Sequence, residues 1–199
     1  MADTKAPAAP ASNPQDTIFD VAIIGGGPGG YTAAIRAGEY GLKTALIEKE
    51  TKLGGTCLHW GCIPTKSILH NAELWDEIKH AKDMGIDNLG TPTLNWPTVL
   101  QRKNDIITKH VKGLDYLMRK NKVTVVPGYG KLTGPAKSGV HSVSVTTADN
   151  KTSEIKAKNI IIATGSDART LPGVEIGGNV LSNIEILNIG GVPSTGEGA

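Results

Sequence analysis

The alternation of apolar runs and helical stretches predicts a βαβ unit near the start of the chain. Residues 17–24 form a short apolar run that ends in glycines, as expected of a buried parallel strand. Residues 29–40 are rich in alanine and predict a helix packed close to that strand, and residues 43–48 predict the second strand. Together these segments make a βαβ unit of about 30 residues.

Helical spacing predicts two longer helices beyond this unit. In residues 64–84 the apolar side chains recur at helical intervals, at Ile68, Leu69, Ala72, Trp75, Ile78 and Ala81. A second helix is predicted over residues 97–120, with Asn95 as its cap and Pro97 in its first turn. Its basic residues predict a solvated face: Arg102, Lys103, Lys109, Lys112, Arg119, Lys120 and, just beyond, Lys122.

Strands dominate the second half of the chain. Residues 123–126 predict a short buried strand, and residues 129–157 alternate as in an antiparallel meander, with strands at 140–145 and 154–157. Residues 159–164 contain the unbroken apolar run 160–163 and are of the type found in a central parallel strand. Ser182 is suited to cap a short helix over 184–187. These segments predict an α/β fold: a central parallel sheet, helices on one side and a three-stranded antiparallel meander.

Composition narrows the functional classes. The net charge of +2 gives no reason to expect nucleic acid or an anionic membrane as a partner, and no stretch approaches the ~20 apolar residues of a membrane span. Residues 1–16 are rich in alanine and proline and predict a disordered tail rather than a signal peptide. The close spacing of the two cysteines favours catalysis or metal binding over disulfide stapling, and we expect a reducing cytoplasm.

A dinucleotide-binding fingerprint follows the first predicted strand. Gly25, Gly27 and Gly30 satisfy the spacing G-x-G-x-x-G, in which the glycines allow a tight turn, close approach of a pyrophosphate, and close packing of the helix. Glu48, at the end of the second strand, stands where a carboxylate accepts hydrogen bonds from an adenosine ribose. The alternative is a plain tight turn with a surface glutamate.

The two cysteines are spaced for a disulfide only if the chain between them is not a regular helix. A disulfide needs Cα atoms within about 7 Å, whereas positions i and i+5 of an α-helix are about 8.6 Å apart. Gly54, Gly55 and Gly61 supply the freedom for such a break. We expect Cys62 at a helix N-terminus, where a thiolate is stabilised, and Cys57 on the more accessible loop side.

Other interpretations of this segment remain open. The cysteines can be an unrelated buried pair, or they can form a metal site with His59 and His70, although structural zinc sites favour tighter spacing. His59 can also act as a base for a Cys–His dyad. We favour His59 as a loop residue that packs near the entrance of the site, and we predict no metal.

Residues 54–69 resemble the redox signature of the pyridine nucleotide–disulfide oxidoreductases. The end of this segment, residues 63–69, is most similar to the branch of that family that oxidises dihydrolipoamide, while branches that reduce mercuric ion or glutathione disulfide are alternatives. The resemblance covers residues 17–190. It implies a Rossmann-like FAD-binding domain, FAD as the cofactor and NAD as the co-substrate.

The resemblance also assigns site residues. It implies that Cys62 faces the flavin and that Cys57 exchanges with the substrate disulfide. It places Lys66 near the flavin ring, although an exposed helix lysine would have the same position, and Gly130 where the adenine is held by backbone atoms. It adds to the cofactor site a further set of residues: Lys49, Gly55, Thr56, Thr164, Gly165 and Ser166.

Domain boundaries and partners follow from the same resemblance. We expect an incomplete FAD-binding domain over residues 17–166 and, over residues 167–199, a linker toward an NAD-binding domain that this chain lacks. The chain would then be an N-terminal fragment, inactive by itself. The full-length enzyme is expected to be a homodimer that serves the lipoyl domains of 2-oxo-acid dehydrogenase complexes or of the glycine cleavage system. A truncated, non-catalytic FAD-binding module is the rival hypothesis.

Overall fold

The computed structural model describes residues 17–192, in which six strands form one sheet in the order β3-β2-β1-β6-β5-β4. Its strands are β1 (Ile18–Ile24), β2 (Thr44–Glu48), β3 (Thr124–Pro127), β4 (Tyr129–Leu132), β5 (His141–Thr146) and β6 (Thr152–Ile162). β3, β2, β1 and β6 run parallel, and β6, β5 and β4 are antiparallel. The predicted tail at 1–16 and the last seven residues of the predicted linker lie outside the described residues.

Five α-helices accompany this sheet in the described part of the chain: α1 (Pro28–Glu39), α2 (Gly55–His59), α3 (Cys62–Lys79), α4 (Trp96–Lys120) and α5 (Asn183–Ile186). The helix predicted over 64–84 ends at Lys79 and is followed by a 3-10 turn, Ala81–Met84. Asn95 caps α4, since its side chain accepts from the N–H of Thr98, and Ser182 and Glu185 form a capping box on α5. Both predicted caps are confirmed. None of the helices in this range is long and apolar enough to cross a membrane.

The two faces of the parallel strands pack against different layers, because successive side chains of a strand point to opposite faces. One face packs against helices α1 and α4, with a core of Val21, Ile23, Ala34, Ala37, Leu46, Leu53, Met118 and Val123. The other face packs against the meander, with a core of Phe19, Ala22, Ile24, Ala45, Ile47, Val143, Val145, Ile155 and Ala157. The predicted fold, with a central parallel sheet, helices on one side and a three-stranded antiparallel meander, is confirmed.

The meander reaches this second face because the sheet rolls over on itself. Three strands separate β4 from β2 in the sheet order. Nevertheless, a β-carbon built on Gly130 of β4 would lie 3.1 Å from the side chains of both Ile24 and Ile47. The absence of a side chain at Gly130 therefore lets β4 close over the parallel strands.

The prediction of separate strands at 154–157 and 159–164 is wrong, because β6 runs unbroken through both. Its first half pairs with β5 and its second half with β1. The polar residues at the join of the two predicted strands are bonded to Asp20 of β1: Lys158 Nζ donates to Asp20 Oδ1 at 2.8 Å, and Asn159 Nδ2 donates to the Asp20 carbonyl at 3.0 Å. The strand can continue because these polar groups are satisfied at the surface.

The predicted solvated face of α4 is also wrong at one residue. Lys103 is only 2% exposed, whereas the other six basic residues of the set are exposed. Lys103 Nζ donates to the carbonyl of Leu187 at 2.6 Å and to Asn188 Oδ1 at 3.0 Å. Burial lowers the pKa of Lys103. This lysine ties the region after α5 to α4.

Candidate dinucleotide and dithiol site

The predicted site residues gather at the carboxyl edge of the parallel strands. Gly25 follows β1 and its N–H donates to the carbonyl of Ile47 at 2.8 Å. Ala163 follows β6, and its N–H donates to the carbonyl of Ile24 at 2.8 Å. In open α/β sheets this edge is where ligands bind.

The glycines of the fingerprint are needed for different reasons. A β-carbon on Gly30 would lie 1.7 Å from the carbonyl oxygen of Gly25, and one on Gly25, whose φ is +106°, would lie 2.2 Å from the carbonyl oxygen of Ala163. These two glycines are therefore required by the packing of the protein itself. In contrast, a β-carbon on Gly27 would meet nothing closer than Gly55 Cα at 3.7 Å. The protein leaves open space beside Gly27.

The start of α1 is suited to an anion. Gly27 is its N-cap and offers no side chain to the first backbone N–H groups, and the first turn contains no acidic residue. Free N–H groups and the positive end of the helix dipole stabilise phosphates at such a position. The residues present at this edge therefore fit a pyrophosphate.

Glu48 is not the surface glutamate of the alternative interpretation, because it is only 7% exposed. Its Oε2 accepts a hydrogen bond from the N–H of Gly26 at 2.5 Å, and its Oε1 accepts one from the N–H of Glu50 at 2.9 Å. The carboxylate thus fixes the glycine turn to the end of β2. Each carboxylate oxygen can still accept a further bond, so the contact with a ribose stays a prediction. The neighbouring Lys49 is exposed.

The cysteine segment packs directly on the fingerprint turn. The N–H of Gly54 donates to the carbonyl of Gly26 at 2.9 Å. Gly55, with φ +55°, approaches so closely that a β-carbon there would lie 2.7 Å from Gly27 Cα. The two motifs, which are separate in the sequence, are therefore in direct contact in the fold.

The predicted break between the cysteines is confirmed. Cys57 lies in α2, which ends at His59, and Cys62 is the first residue of α3. The break consists of Trp60, with φ −137°, and Gly61, with φ −151° and ψ −111°. Both cysteines are free in the structure, and the disulfide between them stays a prediction.

Two details of the cysteine prediction are wrong. Cys57 lies in a short helix rather than a loop, because residues 55–59 complete a helical turn against the fingerprint. Cys62 is exposed, whereas Cys57 is only partly exposed, so the accessibilities are the reverse of those expected. The reason is that α2 packs against the glycine turn, while the start of α3 faces an open groove lined also by Lys66, His70 and Arg102.

The two thiols interact electrostatically. The pKa of Cys57 is raised, mainly by its hydrogen bond with the side chain of Cys62 and then by burial, while the charge of Lys66 opposes the shift. The pKa of Tyr31, in α1, is raised mainly by burial and then by the charges of Cys57 and Cys62. The two thiol groups therefore lie within hydrogen-bonding distance of each other, and Tyr31 lies near both.

His59 has a structural contact instead of a bond to a cysteine. Its Nε2 is 2.9 Å from the carbonyl oxygen of Leu53, and its ring lies 5.5 Å from the ring of Trp60 at an interplanar angle of 49°. It closes α2 and is not the loop residue that we expected. Between residues 17 and 192, no three His, Cys, Asp or Glu side chains group closely enough to hold a metal ion.

The remaining predicted residues lie around this centre. Thr164 is brought to the glycine turn, since a β-carbon on Gly25 would lie 3.0 Å from Thr164 Cα. Thr56, Lys66, Thr164, Gly165 and Ser166 are all exposed. Gly130 lies on the meander side, and the preceding turn is tied to the site by the N–H of Gly128, which donates to the carbonyl of Glu48 at 2.8 Å.

Sequence reasoning missed Asn183. Its Nδ2 donates to the carbonyl of Trp60, within the break between the cysteines, at 2.6 Å and across 123 positions of sequence. No local pattern could reveal a contact at that distance along the chain. Tyr31 falls within the helix predicted over residues 29–40, and its place directly after Gly30 is the sequence signal that it lies near the site.

Comparisons with known proteins show which proteins this chain is similar to. A family model described as pyridine nucleotide-disulphide oxidoreductase matches residues 19–193. Dihydrolipoyl dehydrogenase of Bacillus subtilis is 44% identical over 183 residues, which are 90% of this chain and 38% of that protein. Leghemoglobin reductase of Glycine max is 46% identical over 157 residues, which are 79% of this chain and 29% of that protein.

A solved structure is also similar. The crystal structure of LpdA from Mycobacterium tuberculosis matches with a TM-score of 0.73 and 26% identity, covering 85% of this chain and 37% of that one. The chain thus spans between 29% and 38% of the length of the curated relatives named above. Since the family match extends over almost all of the described residues, this chain belongs to the pyridine nucleotide-disulphide oxidoreductase family.

Proposed function

We propose that this chain binds FAD at the carboxyl edge of its sheet and couples it to the dithiol of Cys57 and Cys62. The parent activity is a flavin-dependent disulfide oxidoreductase that oxidises dihydrolipoamide to lipoamide with NAD as the final acceptor. One observation carries the proposal: the cysteine segment packs on the phosphate-binding turn, through the bond from Gly54 to Gly26 and the contact of Gly55 with Gly27. Because the two cysteines lie next to the proposed dinucleotide site, they are suited to exchange electrons with a bound flavin.

The cofactor residues follow from the same edge of the sheet. Gly27 and the start of α1 would hold the pyrophosphate, and Glu48, with Lys49 beside it, would meet the ribose. The exposed residues Thr56, Lys66, Thr164, Gly165 and Ser166 would complete the site, with Gly130 near the adenine. Bound FAD would supply a two-electron acceptor for the dithiol and a two-electron donor for NAD.

The cysteines carry out the exchange with the substrate. A substrate dithiol attacks the Cys57–Cys62 disulfide, the disulfide bond passes to the substrate, and two protein thiols and an oxidised substrate remain. We assign Cys57 to the exchange and Cys62 to the flavin side. The position of Cys62 as the first residue of α3 supports this division, because a thiolate is stabilised at a helix N-terminus. Its exposure supports a face that a cofactor would cover.

Relatives support the choice of substrate. The Bacillus subtilis protein is named dihydrolipoyl dehydrogenase, as is one from Chlorobaculum tepidum that is 43% identical over 89% of this chain. We therefore place dihydrolipoamide ahead of mercuric ion and glutathione disulfide. The proposal includes lipoyl domains as partners, a homodimer of the full-length protein, and a cytoplasmic location.

The test is an absorbance spectrum of the purified chain with FAD, followed anaerobically during stoichiometric reduction. Bound flavin that develops a long-wavelength charge-transfer band after two electrons supports the coupled dithiol. Cys57→Ala should show the band without reduction, because its Cys62 thiol is unpaired, and Cys62→Ala should never show it. Flavin that binds and bleaches without the band would indicate a binding module alone, and absence of binding would reject the FAD site.

The substrate assignment has its own test. Dihydrolipoamide, added in equimolar amount to the flavin-loaded chain, should produce the band, whereas reduced glutathione at the same thiol concentration should not. A band that appears with reduced glutathione but not with dihydrolipoamide would contradict the substrate assignment.

A further inference from the structure

The break between the two cysteines is held by a distant part of the chain. The N–H of Trp60 donates to the carbonyl of Thr56, which bonds Trp60 to α2. The carbonyl of Gly61 accepts from the N–H of Thr65, which bonds Gly61 to α3. The carbonyl of Trp60, at the junction, accepts instead from Asn183 Nδ2 at 2.6 Å. Residues 182–189, which we name the strap, thus reach the link between Cys57 and Cys62.

We propose that Asn183 is a positioning residue for the thiol pair: through the Trp60 carbonyl it fixes the angle between α2 and α3 and so keeps the two sulfurs within reach of each other. The inference rests on the proposed redox function of the pair. Asn183 touches neither sulfur, and it acts through the backbone of the break.

The strap can hold this position because it is anchored to α4. Lys103 Nζ donates to the carbonyl of Leu187 and to Asn188 Oδ1, and Trp96 Nε1 donates to the carbonyl of Ile189 at 2.9 Å. The side chain of Leu187 is only 7% exposed. These contacts fix the far end of the strap to a 25-residue helix.

Hydrogen bonds within the strap also fix the part of it that contacts Trp60. Glu185 Oε2 accepts from the N–H and the hydroxyl of Ser182, and the hydroxyl of Ser182 accepts from the N–H of Ile184. Asn188 Nδ2 donates to the carbonyl of Ile184 at 2.8 Å. Asn183 therefore lies on a short, self-bonded element and presents its amide to Trp60 with little freedom.

Preorganisation of this kind has a measurable consequence. In disulfide formation each of the two thiols loses a hydrogen, the sulfur–sulfur bond forms, and one molecule of glutathione disulfide is reduced to two of glutathione. The equilibrium favours the protein disulfide in proportion to how well the thiols are held together. Loss of one ordinary hydrogen bond at the break should lower the equilibrium constant by about 3- to 10-fold. The reduction potential should rise correspondingly, by about 15 to 30 mV.

The experiment is a redox titration of the chain in glutathione buffers, with the free thiols alkylated and counted by mass. Asn183→Ala removes the donor, and Asn183→Asp keeps the size of the side chain but replaces the N–H donor by an oxygen. Both should shift the equilibrium toward the dithiol, whereas Asn183→Gln, which keeps the amide, should recover part of the wild-type value. Thermal unfolding of each variant is measured alongside.

The matched control is Asn159→Ala, which removes a bond of the same type, from an asparagine Nδ2 to the backbone carbonyl of Asp20, far from the cysteines in the sequence. It should leave the potential unchanged. Equal potentials for Asn183→Ala and wild type, or an equal shift in Asn159→Ala, would overturn the positioning role. A wild-type chain that forms no disulfide at any buffer ratio would instead reject the proposed function.

Discussion

The α-carbon of Gly30 lies so close to the carbonyl oxygen of Gly25 that a β-carbon on Gly30 would be 1.7 Å from that oxygen. The adjacent Gly29 differs, because its β-carbon would meet only the side chain of Ala163, at 3.7 Å. Of these two neighbouring glycines, Gly29 can therefore accommodate a β-carbon and Gly30 cannot. The contact between Gly30 and Gly25 fixes how closely α1 packs on the end of β1.

Gly30→Ala should therefore destabilise the protein. The clash is with backbone atoms, which cannot swing away as a side chain can, so we expect a loss at or above the upper end of the 1–3 kcal/mol typical of overpacking, about 3 kcal/mol. Gly29→Ala should change the free energy of unfolding by less than about 1 kcal/mol. Urea unfolding of the two variants measures the difference, and equal midpoints would contradict the packing argument.

Gly27→Ala should change FAD affinity without changing the stability of the fold. A β-carbon at Gly27 meets no protein atom closer than 3.7 Å, so the variant should fold with nearly wild-type stability. The same β-carbon would occupy the space proposed for the pyrophosphate, and FAD affinity should fall by at least about tenfold. Titration of flavin fluorescence measures this, with Gly29→Ala as the control. Wild-type affinity in Gly27→Ala would show that the phosphates bind elsewhere.

Much of the fold could be predicted because its signals are local. The strand and helix of the fingerprint, the Asn95 cap and the Ser182 cap each depend on residues within a few positions of one another. The break at Trp60 and Gly61 was also predictable, since a disulfide and a continuous helix are geometrically incompatible.

The errors arose where distant contacts override local polarity. The strands predicted at 154–157 and 159–164 are one strand, because Asp20 satisfies the polar groups of Lys158 and Asn159 at their join and β6 continues. Lys103 matched the solvated face of α4, but the strap covers it and supplies a carbonyl partner. The exposure of Cys62 relative to Cys57 depends on how α2 packs against the glycine turn, which no spacing of residues reveals. To predict any of these features, one must know which surface is covered by a segment that is distant in the sequence.

Glu48→Gln should weaken both the turn and the cofactor site. The buried carboxylate accepts from the N–H groups of Gly26 and Glu50, and an amide can satisfy only one of them while its NH₂ group faces the other donor. We expect a loss of about 1–3 kcal/mol in the free energy of unfolding and weaker FAD binding. The control is Glu50→Gln, whose side chain is exposed and should be neutral. A stable Glu48→Gln variant would contradict the role of the carboxylate.

Cys62→Ala should lower the pKa of Cys57. The pKa of Cys57 is raised above its ordinary value of 9.0 mainly by the hydrogen bond with the Cys62 side chain, and the substitution removes this cause while leaving burial in place. The pH profile of Cys57 alkylation should then have its midpoint at lower pH than in the reduced wild type. Cys62→Ser keeps a hydrogen-bonding partner and should give an intermediate profile. A midpoint at higher pH in Cys62→Ala would contradict the hydrogen bond with Cys62 as the cause of the raised pKa of Cys57.

Lys103→Met should remove a dependence of stability on alkaline pH. Burial lowers the pKa of Lys103 below its ordinary value of 10.5. Between the lowered pKa and 10.5, the unfolded chain holds a proton that the folded chain has released, so the free energy of unfolding gains a contribution that rises with pH. The slope of this contribution is at most about 1.4 kcal/mol per pH unit.

The difference in the free energy of unfolding between wild type and Lys103→Met isolates this contribution. Cys57 and Tyr31 have raised pKa values and act in the opposite direction at alkaline pH, but they are present in both proteins and cancel in the difference. The advantage of the wild type over the variant should therefore grow as the pH rises toward 10.5. Lys109→Met, at an exposed lysine of the same helix, should give a constant difference. A constant difference for Lys103→Met as well would mean that its ammonium group is solvated and that the strap does not cover it.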